Sequence, residues 1–400
     1  MKKVIVFIFI FILAFPFNIS AKQLASECDI SDIDVPFSSE ETNAKIGQTL
    51  DIKAKSVILM EPNTGEILYE NNSDEKLPPA SITKIMSLLL VMEAIDRKEI
   101  TLETVVTASE HACSMGGSQI WLEPGESMTV DELLKAAVIA SANDACVALG
   151  ELLAGSEEAF VEKMNNKAKE LGMNNTTFVN CTGLDANGHL TSAHDVGIMS
   201  CELIKYDLIK NYSTVWMETL RNGESELVNT NKLVRFYKGT TGLKTGTTST
   251  AKYCLAASAE RDGLELVAVV MAGESSDARF SGAKKLLDYG FSNYSFSTVS
   301  PELKEEKVKI NKGCEKFVNI KADEKISLLM QKSSKKEIKQ VTEWNKKISA
   351  PIKKGDTLGY INVYVADEQV GRIPIKAQNN VNRLSISNSM WNIFKKIFKL

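Results

Sequence analysis

Histidine is scarce in this chain. Three histidines among 400 residues (His111, His189 and His194) are too few for a His-rich metal site. His189 and His194 lie five apart, without the H-E-x-x-H spacing of a zinc peptidase, so both read as structural and no metal is implied. Cysteine is thinly spread: seven residues with no C-x-x-C pair fit neither a zinc site nor a dense disulfide scaffold. Cys146 and Cys254 fall in apolar periodic segments and read as small buried residues. Positive charge is in no excess either. The 47 basic and 51 acidic residues leave a formal charge of −4, which excludes the basic field of a nucleic-acid binder. With 44% apolar and 24% charged residues the chain is neither disordered nor a multi-span membrane protein. Its length suggests two or three domains, at about 150 residues each. The tryptophans (Trp121, Trp216, Trp344 and Trp391) form no stacking array and read as core or anchor residues.

The two ends differ from the middle. Lys2 and Lys3 lead into an apolar run from Val4 to Phe17, closed by Ile19-Ser20-Ala21. A charged start, a short greasy core and a small last residue predict a secretory signal peptide over residues 1–21, the alternative being an uncleaved anchor. Residues 22–50 form a polar leader. At the other end, Met390, Trp391, Ile393, Phe394, Ile397, Phe398 and Leu400 share one half of a helical wheel, facing Asn392, Lys395, Lys396 and Lys399. Aromatics opposite lysines predict an amphipathic helix over 387–400 lying in a membrane interface. Docking onto its own protein is the other reading of that helix. The expected location is outside the cytoplasm, on the outer face of the cytoplasmic membrane.

Between the ends, Ser56–Met60 reads as a buried strand, Glu61-Pro62-Asn63-Thr64-Gly65 as a turn and Ile67-Leu68-Tyr69 as its partner. Pro78-Pro79 halts the chain before an apolar helix from Ile82 to Ile95. Residues 100–230 read as mostly helical, and Gly242–Gly273 as three strands broken near Ser249-Thr250 and Arg261-Asp262-Gly263, with a helix over Ser281–Tyr289 following. Early strands, a helical insert and late strands predict one sheet assembled from both ends of an α/β domain over 51–298. Beyond Ser300, short alternating runs (308–310, 317–320 and 360–365) predict a small all-β, sandwich-like domain over 299–377.

Three short motifs carry chemistry. Ser81-Ile82-Thr83-Lys84 places a serine and a lysine three apart, on one face of a helix start. A serine hydroxyl needs an adjacent base, and a desolvated lysine can serve. The same pattern begins at Ser73, Ser249, Ser281 and Ser333, so the motif alone decides nothing; an N-cap serine is the plain alternative at Ser81. Sixty residues on, Ser141-Ala142-Asn143 interrupts a helical stretch, either as a bend presenting Ser141 and Asn143 to a cleft or as a capped helix end. A hydroxyl there can shuttle a proton, and an amide can hold a peptide carbonyl. After 103 more residues comes Lys244-Thr245-Gly246, where a lysine beside a hydroxyl suits a carboxylate and the glycine admits a substrate backbone. An exposed strand lysine is the alternative.

In this order and spacing, S-x-x-K, S-x-N and K-T-G form the motif set of penicillin-binding proteins and serine β-lactamases. With Pro79–Met86, Gly183-Leu184-Asp185, His189–Asp195 and Gly242–Thr247, the sequence resembles the D-alanyl-D-alanine carboxypeptidases among the low-molecular-weight penicillin-binding proteins. The likeness runs from about residue 50 to 377. Alanine stands in the middle of S-x-N where many relatives have glycine, and Thr247 follows K-T-G where some have histidine.

The resemblance implies a transpeptidase-like α/β fold with an antiparallel sheet and a helical subdomain. It also implies cleavage of the terminal D-alanine from a peptidoglycan stem pentapeptide, β-lactams as inhibitors, a part in cell-wall biogenesis and no cofactor. Ser81 would be the nucleophile and Lys84 its base. Ser141 would relay a proton beside Asn143, Lys244 with Thr245 would hold the carboxylate, Gly246 would bind the substrate backbone, and Thr247 would lend an oxyanion-hole N–H. The like charge of Lys244 would help keep Lys84 neutral. Arg279 matches a family basic residue near the carboxylate, or else is a surface arginine at a helix start. A serine β-lactamase, a peptidoglycan endopeptidase and an inactive peptidoglycan-binding protein are the alternatives.

Overall fold

The computed structural model describes residues 50–334 and 337–385, with Ile397 beyond them. The signal segment, the leader up to residue 49 and the tail helix, Ile397 apart, lie outside the described residues. The described chain divides into two compact units, one of 50–297 with 329–334 and one of 298–328 with 337–385.

The larger unit is built on a five-stranded antiparallel sheet of β1 (Ala54–Met60), β2 (Ile67–Asn71), β3 (Thr240–Thr248), β4 (Lys252–Arg261) and β5 (Leu264–Gly273), in the order β2-β1-β5-β4-β3. Strands from both ends of the domain do meet: Ile58 pairs with Val269 and Leu59 with Ala268. The β1–β2 turn is held by the buried Glu61 carboxylate. It accepts from Asn63 N at 3.0 Å, Thr64 N at 2.8 Å and Thr64 Oγ1 at 2.7 Å.

Side chains of a strand alternate between faces, and the central strands are apolar on both. Val57, Leu59, Leu266, Ala268 and Val270 pack with helix α5 (Ser276–Asn293) on one side. Ile58, Met60, Val267, Val269 and Met271 pack with the helical insert on the other. Apolar runs read from sequence as buried strands are therefore the middle layer of three. Helix α5 lies close because Gly290 faces Leu266 and Leu59, where a Cβ would come within 2.4 Å of one leucine methyl and 3.0 Å of the other.

Five expectations need correction. Helix α5 begins at Ser276, five residues earlier than expected, because the Ser275 hydroxyl caps it by accepting from Ala278 N at 3.0 Å. The apolar helix opens as a tight turn over Ala80–Thr83 and becomes helix α1 only at Lys84–Asp96. Residues 100–230 contain two small hairpins, Val105–Thr107 with Ser127–Thr129 and Met217–Leu220 with Ser225–Val228. Their strands are three or four residues long, too short for a period of two to register. Trp121 is not a core residue, at 75% exposed. The buried Asp144 carboxylate accepts from the backbone of Ile120 and Leu122, each at 3.1 Å, turning both side chains inward and the tryptophan between them outward. In the smaller unit, β6 (Lys307–Lys309), β7 (Phe317–Lys321), β8 (Ile338–Trp344), β9 (Thr357–Val365) and β10 (Glu368–Ala377) form one antiparallel sheet ordered β6-β7-β10-β9-β8. The strands over 338–344 and 368–377 escaped notice because the first is mostly solvated and the second carries Gly371 and Pro374.

Cys146 and Cys254 are buried, as expected, and free. Val130–Leu153 is helical on either side of a break: α2 (Val130–Lys135) runs through a wide turn to Ala140, and α3 (Asn143–Ala154) starts afresh.

Leu59 tests the three-layer packing, because it is fully buried between sheet and α5. Leu59→Ala should cost about 2–5 kcal/mol of stability, the range for deleting a core leucine. Urea titration followed by circular dichroism should show a lower midpoint at unchanged slope.

Candidate active site

Three segments distant in sequence converge on the start of α1. Lys84, its first residue, is 0% exposed. Its Nζ donates to Ser81 Oγ at 3.1 Å, Asn143 Oδ1 at 2.5 Å and the Thr182 carbonyl at 2.8 Å. Because lysine only donates, Asn143 must turn its oxygen to it. The Asn143 amide nitrogen donates to the Gly116 carbonyl at 2.6 Å. Both ends of that amide are thus engaged within the protein. The amide thereby orients the lysine, while Gly116 takes only one of its two amide hydrogens.

Ser141 is buried in the left-handed region at φ 65° and Ala142 is extended at ψ 124°. The bend reading of this segment is the right one. Strain of this kind, about 1–3 kcal/mol, persists only where surroundings enforce it. Here α3 is fixed by Asn143 N donating to Ser118 O at 2.7 Å and by Asp144 holding the 120–122 backbone.

Lys244, Thr245, Gly246 and Thr247 lie on β3, an edge of the sheet. The lysine is 1% exposed, so the exposed-strand reading fails. Its Nζ donates to the Thr245 carbonyl at 3.1 Å, while Thr245 Oγ1 donates to Thr230 Oγ1 at 2.8 Å. Gly246 is placed against the serine turn, since a Cβ there would lie 2.9 Å from Pro79 O and 3.0 Å from Ser81 N. Gly183 closes in from the other side, where a Cβ would fall 1.8 Å from Ala80 O.

Arg279 is 8% exposed and no surface residue. Its Nη1 donates to Gly246 O at 3.0 Å and Thr247 Oγ1 at 2.8 Å, bracing the strand after the lysine. Its buried Nε has no partner among the described residues.

Burial lowers the pKa of Lys84, while Cys146, Cys181 and Asp144 pull the other way. Burial also takes Lys244 well below the usual lysine range, with further depression from the Lys84 and Arg279 cations. Burial is thus the first cause of the lowering at both lysines, and like-charge repulsion adds to it at Lys244. Lys84 Nζ meets three acceptors and Lys244 Nζ one among the described residues.

Residues 41–275 match the family model of D-alanyl-D-alanine carboxypeptidases, and residues 296–383 that of the penicillin-binding protein 5 C-terminal domain. The chain belongs to the D-alanyl-D-alanine carboxypeptidase family. It is 45% identical over 339 residues to D-alanyl-D-alanine carboxypeptidase DacF of Bacillus subtilis, spanning 83% of this chain and 86% of that one. Its fold matches the peptidoglycan synthesis regulatory factor PBP3 of Streptococcus pneumoniae with TM-score 0.71 at 29% identity, over 83% of this chain and 100% of the other. Penicillin-binding protein D2 of Listeria monocytogenes, solved with ampicillin bound, matches with TM-score 0.56 at 32% identity, over 61% of this chain and all of the other. The chain is a serine-type carboxypeptidase and penicillin-binding protein of the cell wall, with a mixed helix–sheet catalytic fold followed by an all-β domain.

For a carboxypeptidase of this family, the sequence motifs left out the main-chain partners. Thr182 O, Gly116 O and Ser118 O hold the lysine and the asparagine, yet any residue supplies a carbonyl, so no side-chain pattern marks them. Gly183 had a signal in its Gly-Leu-Asp run, and its close approach to Ala80 now accounts for it. A cleft of about 420 Å³ opens beside Pro79 and Ala80, walled by Gly183, Leu184, Asp185 and Gly188. Gly183→Ala should displace Ala80 and slow covalent labelling of the enzyme by fluorescent penicillin at least about tenfold, since backbone on backbone cannot yield without moving the serine. Labelling time courses on gels check this.

Proposed function

We propose that Ser81 attacks the carbonyl between the two terminal D-alanines of a peptidoglycan stem pentapeptide, with Lys84 as its base. The observation that carries this reading is the buried Lys84 amine 3.1 Å from the Ser81 hydroxyl, with its other acceptors fixed in place. Ser81 Oγ forms a bond to the carbonyl carbon and Lys84 takes its proton. Backbone N–H groups of Ser81 and Thr247 receive the developing oxyanion, a single such donor contributing about 2.7–4 kcal/mol. Ser141 passes the proton to the departing D-alanine nitrogen, and water then hydrolyses the ester.

Lys244, with Thr245, Gly246 and Arg279 behind it, receives the substrate carboxylate. That anion favours the charged form of Lys244, and repulsion from that charge helps keep Lys84 neutral. Substrate arrival thereby helps free the base that the reaction needs. β-Lactams enter by the same route, with the ring carbonyl taking the place of the scissile one. A long-lived ester separates this enzyme from a serine β-lactamase, in which drug turnover is fast.

Ser81→Ala should form no penicilloyl adduct and should release D-alanine from a pentapeptide at least about 10⁴-fold more slowly, as expected when a nucleophile is lost. Intact mass after penicillin treatment, paired with a D-alanine assay, decides it. An adduct on the variant would direct attention to Ser141.

We further infer export and attachment at the outer face of the cytoplasmic membrane. Residues 1–21 support export, and the wheel of 390–400 supports an interfacial helix. Among the described residues no helix is long and apolar enough to cross a membrane. Removing 387–400 should release the enzyme from membranes without altering its activity on a soluble peptide. Fractionation checks this, and retention of the truncated chain would point to the first segment as the anchor.

A further inference from the structure

We propose that His189 is a positioning residue for the nucleophile, acting through Thr83. The inference rests on Ser81 being that nucleophile. His189 is 3% exposed, and both ring nitrogens are engaged. Nδ1 accepts from the backbone N–H of Val179 at 3.0 Å and from that of Asn180 at 3.4 Å. A nitrogen that accepts carries no proton, so the neutral ring has its hydrogen on Nε2. Nε2 stands 2.8 Å from Thr83 Oγ1 and donates to it. Thr83 spends its own hydrogen on the Ala80 carbonyl, at 2.9 Å.

The relay therefore runs one way: main-chain N–H to ring, ring to hydroxyl, hydroxyl to the carbonyl immediately before Ser81. That carbonyl needs holding. Ala80 has φ 48°, a left-handed conformation that a residue with a side chain enters at a cost. Its oxygen also lies hard against Gly183. A rotation of the Ala80–Ser81 peptide would relieve both and carry the Ser81 hydroxyl away from Lys84.

The ring is suited to a fixed donor. Burial pushes its pKa down to about 4 against a weaker opposite pull from Asp185, and Phe178 packs edge-on at 5.9 Å between centroids. It therefore stays neutral, with one donor and one acceptor, at any pH where the enzyme would work. Thr83 lies within the S-x-x-K motif itself, so the relay gives a task to a motif position that the chemistry leaves free.

The test uses the full-length enzyme and the rate of acylation by a fluorescent penicillin, with the labelled residue first identified by mass in the unaltered protein. An adduct elsewhere than Ser81 would remove the nucleophile reading; the variants test the relay separately. His189→Ala and Thr83→Val should each slow acylation at saturating drug at least about tenfold, as loss of a buried hydrogen-bond partner does. The drug concentration giving half-maximal rate should stay the same. His189→Gln brings an amide N–H to the place of Nε2 and should acylate within about threefold of the parent, a loss below 1 kcal/mol. The amide of His189→Asn reaches only the Nδ1 position, so that variant should be as slow as His189→Ala. The double variant His189→Ala/Thr83→Val should be no slower than either single one, because both cut the same chain. Equal losses in the Gln and Asn variants, or additive losses in the double variant, would overturn the proposal. If His189→Ala does not fold, Thr83→Ser against Thr83→Val still decides: the serine keeps the relay and the parent rate, and equal rates for the two would sink it.

Discussion

A lysine amine placed in a dry interior is the constraint around which the catalytic unit is arranged. Lys84 sits at the start of a helix buried on nearly every side, and burial disfavours its charge. Such a group is tolerated only where its donors are matched. Its acceptors come from its own turn, from the first residue of α3 and from the loop carrying Thr182. Each of those segments must then be fixed in turn. Asp144 does so for the loop that receives Asn143, and the strained bend at Ser141 sets the direction from which the asparagine arrives.

The sheet supplies the second lysine and the rigidity. Strand β3 is an edge of that sheet, and its far neighbours are apolar on both faces. Burial lowers the proton affinity of both Lys84 and Lys244, and neighbouring cations lower that of Lys244 further. In the proposed reaction a substrate carboxylate offsets that at Lys244, so binding bears on the base through electrostatics. No moving part is required. The glycines facing Ser81 matter for the same reason, since Gly183 and Gly246 let two backbones press against the serine turn.

Much of this was legible beforehand. The apolar runs at 56–60 and 242–273 announced strands because a central strand is apolar on both faces, and the order of the three motifs announced the chemistry. The weak points were local. Two short hairpins within 100–230 have too few residues to show a period. Trp121 points outward because a carboxylate 23 positions away pins its neighbours. Arg279, which sequence left open between carboxylate neighbour and surface residue, is a buried brace on the strand bearing Lys244.

Side-chain chemistry is a property of residue type, so the sequence by itself determined which groups stand available: the serine, the two lysines, the asparagine and the glycines between them. It also determined the layering, because hydrophobic alternation is written into the order of residues. Which of five S-x-x-K matches meets the other motifs was decided by tertiary structure: among the described residues, it is Ser81 that stands beside a lysine also meeting Asn143 and Thr182. Proton affinity was decided there too, because it depends on burial and on the distance between charges. So was the placing of the main-chain carbonyls and of His189, which lies 106 positions from Thr83 yet within hydrogen-bonding distance of it. Contacts of that kind come from folding two remote loops together, and no local pattern of residues encodes them.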